Sequence, residues 1–172
     1  AGAICGMVEL NSGSIEDCAR DTSTLRVVAM MYGNTTPAVM KAKEILEAAG
    51  YEVVVFHSNG TGGPAMEELI RQGIFHGVLD VTTHEVTDHL FGGFHSGGPN
   101  RLEAAGEAGI PQLVVPGCVE FIIQGPLDTL PERYKARQYY VHNPLITVVS
   151  TTREEIDEVG KVMAEKLNRA KG

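Results

Sequence analysis

Apolar residues fall in short runs separated by segments of helical period. Runs at 25–32, 51–56, 77–83, 110–115 and 144–149 predict five strands rich in Val, Ile, Leu and Met. Between them, Pro37 suits a first helical turn, and Met40, Ile45 and Leu46 give an apolar face to a helix ending at Gly50. Further helices are predicted from Pro64 to Gln72 and from Arg101 to Ala108. A last one over 153–168 carries Ile156, Val159, Val162, Met163 and Leu167 on one side. Strand-helix alternation of this kind predicts an α/β, three-layer, mostly parallel doubly wound sheet of Rossmann-like type, with its strand ends on one functional edge. Pro116-Gly117 ends the fourth strand, and the stretch from there to 143 reads as irregular.

Residues 1–24, rich in Gly, Ser, Asp and Thr without a sustained period, read as a linker or extended arm, leaving 25–172 as one α/β domain. The 172 residues, 43% of them hydrophobic, suffice for a core without disulfides. A net charge of -8 argues against nucleic acid or an anionic membrane as partner. Cys5, Cys18 and Cys118 are an odd number with no C-x-x-C spacing, which fits a reduced, cytoplasmic setting. The start shows neither a basic n-region nor a long apolar h-region, and no run approaches the roughly 20 apolar residues of a membrane span.

The chemistry concentrates after the second strand, where His57-Ser58-Asn59-Gly60-Thr61-Gly62-Gly63 leads directly into a helix. Backbone N–H groups at such a junction, aided by the helix dipole, hold phosphates and carboxylates. Residues 60–65 satisfy G-x-G-x-x-A, with Asp80 at the later acidic position. Three features oppose a dinucleotide site: the motif follows the second strand, Asp80 lies inside the third, and Pro64 removes a donor. Anion binding by Ser58, Asn59, Gly60, Thr61, Gly62 and Gly63 competes with a purely structural turn, and His57 is either a proton donor or a strand-end cap.

Other candidates gather at the same edge. Thr35 and Thr36 follow the first strand, and Thr83 and His84 follow the third. On a helix, Glu85 would meet His89 and His84 would meet Asp88, either pair being able to bind a metal or exchange protons. Since this is neither H-E-x-x-H nor a zinc spacing, no metal is assigned; capping by Thr82 or Thr83 and charge pairing form the competing reading. Asp80 inside an apolar run needs a partner or neutralisation, in a structural or catalytic role. Gly92-Gly93 and Gly97-Gly98 flank Phe94, His95 and Ser96 in either a lid or a tight loop that seals the core. Asn100 reads as a helix cap beside a solvated Arg101. Cys118 reads as core or nucleophile, and Glu120 as general base or supporting carboxylate. Tyr134, Tyr140 and Asn143 read mainly as packing and turn residues, with Arg133 or His142 as alternative ligand contacts. Thr152 and Glu155 match a capping box.

The segments 31–37, 55–63, 79–85, 91–93 and 140–144 together resemble the UPF0261, or Tm-1-like, family over most of residues 24–170. That resemblance implies a protein of two α/β domains, with this chain an incomplete portion of the second and residues 1–24 the interdomain connection. The nucleotide binding attributed to Tm-1-like proteins belongs to the preceding domain and is not carried onto this turn. Neither the residues nor the resemblance identifies a cofactor.

The leading expectation is therefore a domain that binds a small phosphate- or carboxylate-bearing molecule on Asn59 to Gly63, enclosed by loops near Thr83, His95 and Glu120. A second reading is a hydrolase or isomerase using His57, Asp80 or Glu120 for proton transfer. A third is a structural or inhibitory protein-interaction domain. Expected partners are the small anionic molecule, the family's N-terminal domain or remaining C-terminal segment, and a second copy of the chain.

Overall fold

A computed structural model describes residues 24–170; the expected arm, with Cys5 and Cys18, lies almost entirely outside them. Four parallel strands, β1 (Arg26–Met31), β2 (Glu52–His57), β3 (Gly77–Asp80) and β4 (Gln112–Val114), pair in the order β2-β1-β3-β4. β1 is central because its side chains are apolar on both faces. Val28 and Met30 pack with Met66 and Ile70 of α2 (Gly62–Arg71) and with Ala104 and Ala105 of α4 (Ala104–Ala108). Ala29 packs on the opposite face with Val39 of α1 (Thr36–Ala48) and Val53. Helices on both faces of a parallel sheet make the predicted three-layer α/β arrangement. The first crossover covers one face and the second the other, so the chain reverses direction between β1 and β3, where doubly wound folds open a crevice at the strands' C-terminal ends.

The predicted fifth parallel strand is β7 (Ile146–Ser150), but it lies in a separate antiparallel sheet, β5-β7-β6. Its partners, β5 (Phe121–Gln124) and β6 (Tyr139–Asn143), come from the stretch read as irregular. β5 is only four residues long and buried throughout, so no alternation marks it. All five residues of β6 are exposed. Between these strands α5 (Glu132–Lys135) buries Tyr134 against Ile122, Leu130 and Val149. α3 (His84–Phe91) lies between the two sheets, and α6 (Arg153–Leu167) packs Val159 and Met163 against Val86 of α3. The capping box of α6 is formed: Glu155 N–H donates to Thr152 Oγ1 at 3.2 Å and Thr152 N–H to Glu155 Oε2 at 2.9 Å.

Beyond α1 the same sheet face is uncovered. Ile45, Tyr51 and Leu113 border an apolar groove of about 600 Å³ near the strands' N-terminal ends, with Leu113 56% exposed on β4. No helix among the described residues is long and apolar enough to cross a membrane.

Candidate functional site

The glycine turn forms as predicted, but its anion comes from the protein itself. Gly60 and Gly63 N–H both donate to Glu85 Oε1, at 2.7 and 3.1 Å. Thr61 and Gly62 N–H point to Asn59 Oδ1 at 3.3 Å, and Thr61 Oγ1 donates to the same oxygen at 2.8 Å. In this conformation the donors expected to hold an external anion, on Asn59 to Gly63, are engaged by Glu85 and Asn59. Gly63 is required by the closeness of that contact, since a Cβ there would sit 1.8 Å from Glu85 Oε2. Ser58 is fully buried, and its hydroxyl has no hydrogen-bond partner among the described residues.

Glu85 is held in turn by Arg101, which the sequence placed at a solvated helix start and the structure buries to 1% exposure. The guanidinium donates Nε–H to Glu85 Oε2 at 2.8 Å, an Nη2 hydrogen to Asp80 Oδ2 at 2.8 Å and an Nη1 hydrogen to Glu67 Oε1 at 3.1 Å. Glu67 also accepts from Leu102 and Ala104 N–H, at 2.6 and 2.8 Å, and so does for α4 the capping expected of Asn100. Burial raises the Asp80 carboxyl, with Arg101 pulling it down, while the three carboxylates together hold Arg101 charged against its own desolvation. Asp80 therefore belongs to this internal network and is not brought to an open cleft. Glu120 is exposed and is not among the residues that line the cleft beside Tyr32.

The chemistry at the open edge is built around Tyr32, the residue after β1. Its ring lies 5.1, 5.2 and 5.7 Å, centroid to centroid, from those of His57, His84 and His95. Its hydroxyl is 3.2 Å from His95 Nδ1. Burial, followed by the nearby Asp88, pushes the Tyr32 phenol up to about 12, and burial lowers His95. Thr35 and Thr36 serve this corner from within. Tyr32 N–H donates to Thr35 Oγ1 at 2.9 Å, Thr35 bonds Thr82 at 2.7 Å, and Thr36 donates to Tyr32 O at 2.9 Å. Thr83 occupies the N-cap position of α3 without a side-chain cap bond.

Of the two predicted i,i+4 pairs, only one forms. His84 Nε2 lies 3.3 Å from Asp88 Oδ2 in the fully buried first turns of α3, whereas Glu85 turns to Arg101 and His89 Nδ1 lies 3.1 Å from Ser96 Oγ. Asp88 also fixes the glycine-rich loop, accepting His95 N–H at 2.8 Å and Ile123 N–H at 3.0 Å. His84, Asp88 and His95 thereby present three potential ligand atoms within 4.8 Å of one another.

A cleft of about 390 Å³ opens beside Tyr32, between the ends of β1 and β2 and the antiparallel sheet. Tyr32, Asn34, His57 and His142 supply its polar groups, and Phe121, Tyr140 and Ile146 are among its apolar walls. His142 and Asn34 could not be placed here from spacing, because the former comes from β6 and reaches the cleft only through the second sheet. Cys118, buried with φ 61°, underlies this wall; burial and Glu120 push its thiol up to about 11, which opposes a nucleophilic role.

Residues 24–172 match the family model described as the uncharacterised protein family (UPF0261) C-terminal domain. The chain belongs to the UPF0261 family. It is 55% identical over 143 residues to a UPF0261 protein of Clostridium tetani, covering 83% of this chain and 35% of that relative. Over 168 residues it is 38% identical to the ToMV resistance protein Tm-1 of Solanum lycopersicum, covering 98% of this chain and 22% of the tomato protein. The susceptible tomato form matches at the same 38% over the same length, so the similarity carries nothing specific to resistance. This UPF0261 chain thus spans about a third of the first relative and about a fifth of the tomato proteins.

Proposed function

We propose that the chain is the small-molecule-binding part of a longer protein and takes a carboxylate- or phosphate-bearing ligand in the cleft beside Tyr32. The supporting observation is the convergence of Asn34, His57 and His142 with an apolar wall at the C-terminal ends of β1 and β2, in a space within the usual range of about 300–1,000 Å³ for ligand sites. No Lys or Arg lines the cleft among the described residues, so histidines alone supply positive charge. That favours a carboxylate over a phosphate dianion. In this reading the protein works in the cytoplasm, and the additional length of the relatives packs on the apolar groove beside α1 or a second copy does so.

Calorimetric titration with small carboxylates, inorganic phosphate and sugar phosphates tests the reading. Asn34→Ala and His57→Ala should each weaken the bound ligand at least about tenfold, about 1.4 kcal/mol. Binding that neither substitution alters would rule out the cleft.

The Tyr32–His95 contact favours one second reading, an enzyme in which His95 and His57 move protons on the bound molecule. Under it, His95→Ala abolishes turnover of a ligand that still binds. Turnover unaffected by His95→Ala and His57→Ala removes this reading and leaves simple binding.

A further inference from the structure

We infer that His84, Asp88 and His95 form a site for one divalent transition-metal ion of the zinc type, beside Tyr32. His84 Nδ1 lies 2.9 Å from the carbonyl oxygen of Cys118, and a carbonyl only accepts, so Nδ1 carries the proton. This second bond is what a metal-binding imidazole ordinarily makes with its non-ligating nitrogen. Nε2 is left fully buried, aimed at the Asp88 carboxylate 3.3 Å away, and without a hydrogen-bond partner. A lone pair facing a carboxylate is repulsive in a dry interior, and a proton on Nε2 would find no acceptor in good geometry. A cation placed between the two atoms satisfies both.

Geometry and chemistry agree with this assignment. Two ligands each about 2.05 Å from a tetrahedral ion stand about 3.3 Å apart, the spacing of His84 Nε2 and Asp88 Oδ2. His95 brings a third nitrogen within 4.8 Å on a loop that is already tied to Asp88. Both Asp88 oxygens accept a backbone N–H and still have lone pairs to offer, the outer support that ligating carboxylates have. Two imidazoles and one carboxylate suit zinc or iron(II) and leave coordination positions open. Tyr32, whose hydroxyl lies 3.2 Å from His95 Nδ1, also lines the cleft. The site does not depend on the proposed ligand, and its test uses metal alone.

The test is titration of chelator-treated protein with Zn²⁺ by calorimetry and with Co²⁺ by its visible ligand-field band, alongside histidine-ring nitrogen NMR. One equivalent is expected to bind, with His84 and His95 resonances moving and those of His76 and His89 unmoved. His95→Ala, at a half-buried position, should weaken Zn²⁺ by at least about 100-fold while retaining the circular dichroism of the parent. The inference is overturned if neither ion binds, if the ring signals that move belong to other histidines, or if folded His95→Ala binds as tightly as the parent. If His95→Ala does not fold, the ring signals of the parent protein decide.

Discussion

Glu85→Ala would convert a glycine turn filled from within into one able to take an anion from solution. The substitution removes the acceptor of Gly60 N–H, Gly63 N–H and Arg101 Nε–H. Gly60 is half-exposed, so water replaces that bond at little cost, but the buried Gly63 and Arg101 donors lose about 1–3 kcal/mol each. Relief of repulsion on Asp80 and Glu67 returns part of this, since Arg101 keeps both of them as partners. The expected net loss is about 3 kcal/mol, at the low end of the about 3–5 kcal/mol for breaking a buried ion pair. Urea unfolding at constant ionic strength measures it, because urea leaves electrostatic screening unchanged. Formate has the carboxylate without the stem, and at ten times its dissociation constant it should restore about 1.4 kcal/mol to the variant and nothing to the parent. A loss below about 1 kcal/mol, or equal stabilisation of both proteins by formate, would refute the claim that Glu85 occupies an anion site.

Two glycines should respond in opposite directions in thermal unfolding. Gly93→Ala puts a Cβ 2.1 Å from Asp88 Cγ and should cost about 2–3 kcal/mol, whereas Gly160→Ala, on an exposed helical position with open space around it, should stabilise by about 0.5–1 kcal/mol. Thr152→Ala removes the cap of α6 and should cost about 1 kcal/mol by urea midpoint. Glu155 is pushed up by burial, but bonds from Arg137 at 2.6 and 2.9 Å and from Thr152 N–H leave it below the ordinary value of 4.5. A lowered acid stabilises above its unfolded-state pKa and loses that contribution as pH falls through its folded value. The stability difference between the parent and Glu155→Gln should therefore be present at pH 7, about 0.5–1 kcal/mol, and shrink below about pH 4.5. A difference that holds constant into acid would show that the charge of Glu155 contributes nothing.

The four parallel strands and the covering helices were legible because their patterns are local: apolar runs, glycine stops and the Thr152–Glu155 box. The second sheet was hidden because β5 is short and apolar throughout and β6 is exposed throughout, so neither shows alternation. The glycine turn was found and its occupant missed, since Glu85 reaches it from a helix 22 residues beyond Gly63. Arg101 looked solvated because charge at a helix start ordinarily is; only the convergence of Asp80, Glu85 and Glu67 from three elements makes burial affordable. The His84–Asp88 pair was visible in its i,i+4 spacing, while His95 joins it through tertiary loop contacts that spacing does not encode.

The bare face beside α1 bears on how any binding experiment is designed. β4 carries Leu113, 56% exposed, and is followed by Val115, 39% exposed, at the rim of the parallel sheet. Such a rim is a template for pairing with another chain. Apparent stoichiometries measured at one protein concentration would then mix ligand occupancy with self-association. A dilution series followed by light scattering separates the two, and Leu113→Lys, on the edge strand β4 and outside the lining of the cleft, offers a soluble reference in which the cleft should be intact.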